Sequence, residues 1–329
     1  MTMTPLRMGT LGVARITTNA LIHPARLVAD VQVAAIAARD ATRARAFAAR
    51  HAIPQVHRNY DELLADPTID AIYNPLPNSL HAEWTIRALR AGKHVLCEKP
   101  FANNAAEAEA MAQAASESGR LLMEAFHYRY HPQAARLKTI VDSGEIGAVQ
   151  HLEAHFCTPS VRPGNIRMRY DLGGGATMDL GCYTIHLIRY LAGAEPSVTR
   201  AEARLLAPQV DRWMEAELAF ADGRTARMTC SLLSTHLLRL SARVIGSEGE
   251  LHVWNPILPQ LWHRITVQTR HGKRSERVPG ESTYTHQLRA FVAALRDGAS
   301  IPTGAADAIA NMRVIDAIYD QAGLKRRGT

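Results

Sequence analysis

Two short segments carry side chains that can exchange protons with a substrate. Glu98 and Lys99 directly follow the run His94–Cys97, which has the length and composition of a buried strand. They therefore lie at the carboxyl end of that strand, the edge at which open α/β sheets bind ligands. Asp179 and Tyr183 are four residues apart, so a helix would place them on one face. Each of these residues also has a purely structural interpretation. Lys99 would simply be exposed to solvent, and Glu98 would only form an ion pair. Asp179 would be a polar anchor, and Tyr183 would pack in the core.

A glycine turn lies between the first predicted strand and the first predicted helix. The apolar run Leu6–Leu11 ends at Gly12, and a helix pattern begins near Arg15. If Gly12 is the first glycine of a G-x-G-x-x-G motif, Ala14 occupies the place of the second. N–H groups at the start of such a helix, here at Ala14, Arg15 and Ile16, bind the pyrophosphate of a dinucleotide. The motif is degenerate, and its place at the start of a strand–helix series favours a nucleotide site over a packing turn.

The end of the second predicted strand bears on the identity of the nucleotide. Arg39 directly follows the apolar run Val31–Ala38, Asp40 comes next, and Arg43 lies one helical turn later. An acidic residue here would bind ribose hydroxyls, whereas an arginine would bind a 2′-phosphate. A planar guanidinium suits a phosphate dianion. The pattern favours NADP, with NAD as the alternative. The structural interpretation is that both arginines are solvated residues at a helix start.

The predicted elements divide the chain into two domains. Strand and helix patterns alternate over residues 1–125, which predicts an α/β domain with a doubly wound parallel sheet. From residue 126 to 329, strand patterns follow one another without long helices, and the turn Ala221–Arg224 joins two of them. This predicts an α+β domain with an open-faced, largely antiparallel sheet. Helices over Thr285–Arg296 and Ala305–Ala322 close the chain, and the tail Lys325–Arg327 is expected to fray.

Composition excludes several classes of partner. The net charge of +7 suits an anionic small molecule, and its basic residues form no long Lys/Arg block, so no nucleic acid is expected. No apolar run reaches the roughly 18 residues of a membrane span, so no membrane is expected. The four cysteines are widely spaced and lack a CxxC pair, which is typical of a reducing compartment. We therefore expect a cytoplasmic protein.

Four segments resemble signature sequences of one enzyme family. The matching segments are Asn74–His81, Ala91–Pro100, Met123–Pro132 and Leu172–Tyr183. Over nearly the whole chain, the sequence resembles the glucose–fructose oxidoreductase and inositol dehydrogenase-like (Gfo/Idh/MocA) family. The resemblance implies a Rossmann domain followed by an open-faced sheet, a nicotinamide cofactor, and hydride transfer at a sugar or polyol carbon. It also implies that the closing helix, about 305–322, packs back on the Rossmann domain.

The same resemblance implies roles for single residues. Lys99 corresponds to the family's catalytic lysine, and the Lys99–Pro100 peptide bond is commonly cis in relatives. Asn165 and Arg167 resemble a segment that lines the substrate cleft. Candidate cofactor-binding residues in or beside the matching segments are Leu76, Asn78, His81, Glu98, Lys99 and Arg129.

The family's second motif departs from the inositol dehydrogenase pattern here. After three glycines and Asp179, Tyr183 stands where a histidine is usual, and His186 where an aspartate often follows. This resembles the branch of dimeric dihydrodiol dehydrogenases and NADP-dependent deoxysugar 3-ketoreductases, in which lysine and tyrosine act together. A carbonyl that accepts hydride needs a proton donor, and a nearby ammonium favours phenolate. Our hypothesis is that Tyr183 is the general acid/base, Lys99 tunes it, and Asp179 binds substrate hydroxyls or orients Lys99.

Some candidates and alternatives remain open. His186 and Tyr284 either contact substrate or simply pack. Histidines at 127, 131, 151, 155 and 186 raise a metal enzyme as an alternative, but on a strand residues 151 and 155 would be about 13 Å apart. A regulator that binds NADP without catalysis is a further alternative. We also expect a homodimer or homotetramer formed through the outer face of the open sheet, which would otherwise expose apolar surface.

Overall fold

The structure is a computed structural model that describes residues 4–159, 164–234 and 238–329. The chain forms two compact units. Unit 1 comprises Met1–Ala102, Ala106–His127 and Tyr284–Ile309, and unit 2 comprises Asn103–Ala105, Tyr128–Thr283 and Ala310–Thr329.

Unit 1 contains a six-stranded sheet whose order is β3-β2-β1-β4-β5-β6. All of its strand pairs are parallel, which confirms the predicted doubly wound sheet. The strands are β1 (Leu6–Leu11), β2 (Val31–Ala37), β3 (Gln55–His57), β4 (Ala71–Asn74), β5 (His94–Cys97) and β6 (Leu122–Glu124). The order reverses between β1 and β4, and ligands bind at such a switch point in open α/β sheets.

Two of the helices between these strands begin at a capping side chain. The carboxylate of Asp40 accepts hydrogen bonds from the N–H groups of Thr42 and Arg43, and Asn59 accepts one from Glu62. The predicted helix over 15–25 is continuous but contains a π-helical segment, Thr18–Ile22. The helices are α1 (Arg15–Thr17), α2 (His23–Ala25), α3 (Ala41–His51), α4 (Tyr60–Ala65), α5 (His81–Arg90) and α6 (Ala105–Ser118).

Unit 2 contains an eight-stranded sheet whose order is β14-β13-β12-β11-β7-β10-β9-β8. Only β7 and β10 run parallel within it, so the predicted, largely antiparallel sheet is confirmed. The strands are β7 (Val149–Cys157), β8 (Ser197–Ala207), β9 (Val210–Ala219), β10 (Thr225–Ser231), β11 (Arg239–Gly246), β12 (Gly249–Trp254), β13 (Arg264–Thr269) and β14 (Gly272–Glu276). The remaining helices are α7 (Pro132–Asp142), α8 (Cys182–Ala192), α9 (Thr283–Asp297) and α10 (Ala305–Gln321).

Two elements of unit 2 were missing from the strand and helix prediction. Helix α8 buries ten of its eleven residues, so it has no polar stripe and lacks the amphipathic period by which a helix is recognised. Strand β14 has the sequence Gly-Lys-Arg-Ser-Glu and pairs only with β13 at the edge of the sheet. Its polarity suits an edge position but hides it from a search for apolar alternation.

The outer face of the second sheet carries charged side chains together with the exposed apolar residues Leu233 and Trp254, so association through this face stays a prediction. Alternate residues of a strand point to opposite faces. On β7, Leu152, Ala154 and Phe156 lie on the face that α8 contacts, while Glu153 and His155 lie on the other. A groove across that outer face is lined by long polar or charged side chains, including Arg204, Arg227, Arg239, Arg243 and Glu250.

The chain end does not fray, which corrects the prediction for the tail. Arg327 is 0% exposed, and its Nη2 lies 2.9 Å from Oδ1 of Asp211, which is itself completely buried. Its Nε donates to the carbonyl of Gly174, and its guanidinium lies over the ring of Tyr319. Composition alone predicts a solvated basic tail. In the structure, the buried carboxylate of Asp211 forms an ion pair with Arg327 and so holds this part of the tail in place.

Among the described residues, no helix has both the length and the apolar character that crossing a membrane requires.

Replacing Arg327 with methionine should lower the free energy of unfolding by about 3 kcal/mol, because it leaves the Asp211 carboxylate buried beside an apolar side chain. Urea unfolding followed by circular dichroism measures this. The control is Arg200→Met, whose exposed ion pair with Glu202 should be worth less than about 1 kcal/mol. Equal stability of the two variants would show that the buried pair does not hold the chain end.

Candidate functional site

In unit 1, the glycine turn after β1 requires glycine. Gly12 has a φ of +77°, a conformation that other residues rarely adopt, and its N–H donates to the carbonyl of Ala37. A Cβ at Gly12 would lie 3.1 Å from Leu76. The turn therefore brings bare backbone to the end of β1, where the helical run begins at Arg15. Arg15 is exposed, and Ala14 and Ile16 are partly exposed. This arrangement fits the pyrophosphate of a dinucleotide.

Of the residues that follow β2, Asp40 caps helix α3, whereas Arg39 and Arg43 are exposed to solvent. Oδ1 of Asp40 accepts two hydrogen bonds of 3.0 Å from the first turn of α3. Arg39 and Arg43 are exposed on either side of it. The carboxylate thus serves the helix, whereas both guanidinium groups face solvent. A phosphate fits this edge better than uncharged ribose hydroxyls.

The loop after β4 is fixed by His81, which is completely buried. Its two ring nitrogens each lie 2.8 Å from a backbone carbonyl, those of Leu76 and Pro100. His81 therefore joins two loops through their backbones, and its role is to position them. Leu76 is buried and Asn78 is partly exposed.

Glu98 and Lys99 lie at the carboxyl end of β5, as predicted. Glu98 is buried, and Oη of Tyr73 donates a hydrogen bond of 2.6 Å to its carboxylate. Lys99 is partly exposed, and its peptide bond to Pro100 is cis, as the resemblance implies. Tyr73 was missed in the sequence, where it is one apolar residue of a buried strand.

A buried aromatic pair lies next to these residues within unit 1. The rings of His127 and Tyr284 are 4.1 Å apart between centroids. Burial, and secondarily the charge of Lys99, lowers the pKa of His127 to about 3. Burial, reinforced by Glu98, raises the pKa of Tyr284. Both rings are therefore neutral at physiological pH, and Tyr284 is unsuited to act as a base.

In unit 2, the three glycines precede the segment that carries Asp179 and Tyr183, and they are enclosed on two sides. A Cβ at Gly174 would lie 2.6–2.7 Å from the carbonyl oxygens of Ile166, Arg167 and Arg169. A Cβ at Gly175 would lie 2.2 Å from Oδ1 of Asp211. Glycine is required here because backbone on one side and a buried carboxylate on the other leave no room for a side chain.

Asp179 forms an ion pair with Arg167. Nε of Arg167 lies 2.6 Å from Oδ2 of Asp179, and the two side chains are 42% and 16% exposed. Asn165 caps the short 3₁₀ segment Ile166–Met168 and also contacts the guanidinium of Arg167. The structure thus unites three predicted residues, Asn165, Arg167 and Asp179, in one hydrogen-bonded group.

Tyr183 lies one helical turn after Asp179, at the start of α8, and is 6% exposed. Its ring lies 5.7 Å from that of Phe156 and 6.2 Å from that of Tyr128. Tyr128 also shares a hydrogen bond of 2.5 Å with Nδ1 of His186, which is buried. His186 therefore holds Tyr128, one of the two rings that lie beside Tyr183. Nothing in the sequence indicated this role of Tyr128.

Arg129 has a partner on the same helix as Tyr183. Its guanidinium carbon lies 3.4 Å from the ring centroid of Tyr190, within unit 2. This stacking occupies one face of the Arg129 guanidinium. That Arg129 binds the cofactor stays a prediction.

The histidines proposed as metal ligands have other surroundings. In the parts of the chain that the structure describes, no group of three or more His, Cys, Asp or Glu residues could hold a metal ion. His131 accepts a hydrogen bond from the N–H of Gln133 at the start of α7, and His151 bonds to Thr225. These contacts account for the two histidines as structural residues.

Family models match both halves of the chain. The model described as an oxidoreductase family with an NAD-binding Rossmann fold matches residues 6–126, and the Gfo/Idh/MocA C-terminal domain matches residues 134–252. The chain belongs to the Gfo/Idh/MocA family of oxidoreductases. The predicted family, fold class, enzyme class and nicotinamide cofactor are confirmed.

Three relatives cover most or all of the chain. A D-xylose 1-dehydrogenase (NADP(+)) from Haloferax volcanii is 35% identical, over 96% of this chain and 97% of its own. A dTDP-3,4-didehydro-2,6-dideoxy-alpha-D-glucose 3-reductase from Actinomadura kijaniata is 32% identical, over 95% of each chain. A trans-1,2-dihydrobenzene-1,2-diol dehydrogenase from Xenopus laevis is 32% identical, over 76% of this chain and 77% of its own. These Gfo/Idh/MocA members include both kinds of enzyme in the predicted branch.

A solved structure of the same family is closely similar. It is a 3-ketoreductase from Actinomadura kijaniata in complex with NADP and TDP-benzene, with a TM-score of 0.90 and 31% identity, covering 97% of this chain and 98% of its own. Related structures of that ketoreductase carry a tyrosine-to-phenylalanine change or a lysine changed to alanine or glutamate.

Replacing His127 with glutamine should make the protein less sensitive to acid. Between pH 6.5 and about 3 the unfolded chain binds a proton at this residue that the folded protein does not, so wild-type stability falls as the pH drops through that window. The variant should lose stability with a slope smaller by up to one proton. Urea unfolding at pH 7, 6, 5 and 4 measures the slope.

The exposed His271→Gln variant is the control, and it should follow the wild type at every pH. If His127→Gln also follows the wild type, His127 is not held neutral.

Proposed function

We propose that the protein is an NADP-preferring oxidoreductase that transfers a hydride between nicotinamide and a sugar, a deoxysugar ketone or a vicinal diol. Family membership supports the reaction class. The observation that carries the cofactor preference is the edge after β2, where the Asp40 carboxylate caps α3 and Arg39 and Arg43 are exposed. The names of the relatives support the substrate classes, since they include a sugar dehydrogenase, a deoxysugar reductase and a diol dehydrogenase.

The cofactor would be held by unit 1. We assign the pyrophosphate to the backbone at Gly12, Ala14, Arg15 and Ile16, and the 2′-phosphate to Arg39 with Arg43 beside it. His81 fixes the loop that presents Leu76 and Asn78. When bound, the nicotinamide supplies or accepts the hydride at the substrate carbon.

The protein's own task is to move the accompanying proton. A carbonyl that gains a hydride becomes an alkoxide, and we assign the proton donor to Oη of Tyr183. The Lys99 ammonium is assigned to favour the phenolate and to polarise the substrate oxygen. Lys99 belongs to unit 1 and Tyr183 to unit 2, so this pairing rests on the sequence motifs. The lysine and tyrosine changes studied in the related ketoreductase concern the same two residue types.

Asp179 is assigned to bind substrate hydroxyls. Its carboxylate is partly exposed and already accepts a bond from Arg167, so its orientation is set before a substrate arrives. A carboxylate held in this way can accept hydrogen bonds from sugar hydroxyls with its remaining lone pairs. His186 and Tyr284 then serve as packing residues of their own units.

NADPH should bind much more tightly than NADH in parallel fluorescence titrations. Changing Arg39 to glutamine should weaken NADPH binding by roughly tenfold or more and leave NADH binding nearly unchanged, because a charge-assisted bond to phosphate is lost. Arg45→Gln, on the exposed face of α3, is the matched control. Equal binding of the two cofactors would favour an NAD-linked enzyme with Asp40 on the ribose, and binding of neither would contradict the proposed function.

Changing Tyr183 to phenylalanine should reduce turnover by about a hundredfold or more without weakening NADPH binding, because only the proton donor is removed. Steady-state reduction of keto-sugars and oxidation of diols, monitored by NADPH absorbance, measures this. Tyr170→Phe is the control, since that hydroxyl bonds only to backbone carbonyls near the chain end. Unchanged turnover in Tyr183→Phe would remove Tyr183 from proton transfer.

A further inference from the structure

The backbone around Arg167 is fixed against the glycine loop. The N–H of Gly175 donates to the carbonyl of Arg167 at 2.9 Å, and the N–H of Gly174 donates to that of Arg169 at 2.8 Å. The close approach at Gly174 permits these two bonds. The segment that carries Arg167 is therefore tied to the loop that leads into Asp179 and Tyr183.

The Arg167 guanidinium is held by two polar side chains, those of Asn165 and Asp179. Oδ1 of Asn165 accepts from the Arg167 N–H at 3.1 Å and lies 3.4 Å from its Nη1. Nε donates to Oδ2 of Asp179 at 2.6 Å. Holding a long side chain by two separate polar groups selects one conformation, so the guanidinium stands at a defined place beside the acidic residue.

The charge of Arg167 reaches Tyr183 as well as Asp179. The Asp179 carboxylate, and to a smaller extent an ionised Tyr183, raise the pKa of Arg167 against the opposing effect of burial. Without the guanidinium, the Asp179 carboxylate, one helical turn from Tyr183, would lose this ion pair, and a like charge disfavours the phenolate. With it, the negative charge of Asp179 is neutralised and a positive charge is added.

We infer that Arg167 is a positioning residue for the proposed proton transfer: it orients Asp179 and makes the surroundings of Tyr183 favour the phenolate. This inference rests on the proposed function. Arg167 thus gives unit 2 its own cation for the tyrosine, independent of Lys99. It does not exchange the proton itself, because an arginine stays charged throughout.

The neighbours of Tyr183 in unit 2 include aromatic and hydrogen-bonded groups. Its ring lies beside those of Phe156 and Tyr128, and Tyr128 shares a hydrogen bond with His186. On β10, Cys230 lies against Gly181, and burial raises the pKa of its thiol well above the usual value. The ion pair of Arg167 with Asp179 is the charged pair one helical turn before Tyr183 on which the inference is built.

The decisive experiment measures the ionisation of Tyr183 directly. Phenolate absorbance is titrated in the wild type and in each variant, and the same titration in a Tyr183→Phe background isolates this one tyrosine. In Arg167→Gln the midpoint should move up by about one pH unit, because the cation of the ion pair beside Tyr183 is lost. In Asp179→Asn it should move down, because a like charge is removed.

Arg169→Gln is the matched control. Arg169 lies in the same segment, is exposed, and forms a similar ion pair with Asp171. Its midpoint should equal that of the wild type, and Arg167→Lys should restore part of the shift. A midpoint that is the same in wild type and Arg167→Gln would overturn the inference, and so would an equal shift in Arg169→Gln.

Turnover separates this inference from the proposed function. In Arg167→Gln, kcat should fall by roughly tenfold or more and the pH midpoint of kcat/KM should rise with that of the phenolate, while NADPH affinity stays the same. The absorbance titration needs no substrate. If the wild type turns over no sugar or diol but the phenolate midpoint still shifts as expected, the proposed reaction fails, while the effect of Arg167 on the ionisation of Tyr183 stands.

Discussion

The buried carboxylate of Asp211 is the constraint on which the second unit depends. It accepts bonds from the N–H and hydroxyl of Thr177, from Tyr319 and from Arg327, and it occupies the space that a side chain at residue 175 would need. One buried charge thus joins strand β9, the glycine loop, helix α10 and the chain end. Removing Arg327 would leave this carboxylate without its opposite charge in an apolar interior, which lowers the free energy of unfolding.

The two units position their functional groups by different physical means. Unit 1 uses backbone: a left-handed glycine at the end of β1, a helix start after β2, and a histidine that joins two loops through their carbonyls. Such groups suit a ligand that is negatively charged along its length. Unit 2 uses side chains that hold one another, namely the ion pair of Arg167 with Asp179 and the hydrogen bond of Tyr128 with His186.

Much of the fold follows from local pattern, and the rest depends on contacts between distant residues. Strands β1 and β5 match the predicted runs Leu6–Leu11 and His94–Cys97, and helix α10 ends one residue before its predicted bound, because local pattern marks these ends. Helix α8 lacks a polar stripe, so its period is invisible. The ion pair of Arg167 with Asp179 joins two residues that the sequence singled out. That they contact each other depends on tertiary structure, which local sequence pattern does not reveal. Arg327 resembles any basic tail residue until a buried carboxylate is known to face it.

The cap formed by Asp40 has a consequence for redesigning cofactor choice. An acidic residue already stands where NAD-binding proteins of this fold place one, but its oxygen is committed to the first turn of α3. Both cap bonds go to Oδ1, so the cap leaves Oδ2 of Asp40 able to accept a further hydrogen bond. Replacing Arg39 and Arg43 alone is therefore the minimal design for a change of cofactor preference, since Asp40 can cap α3 through one oxygen and accept from a ribose hydroxyl through the other.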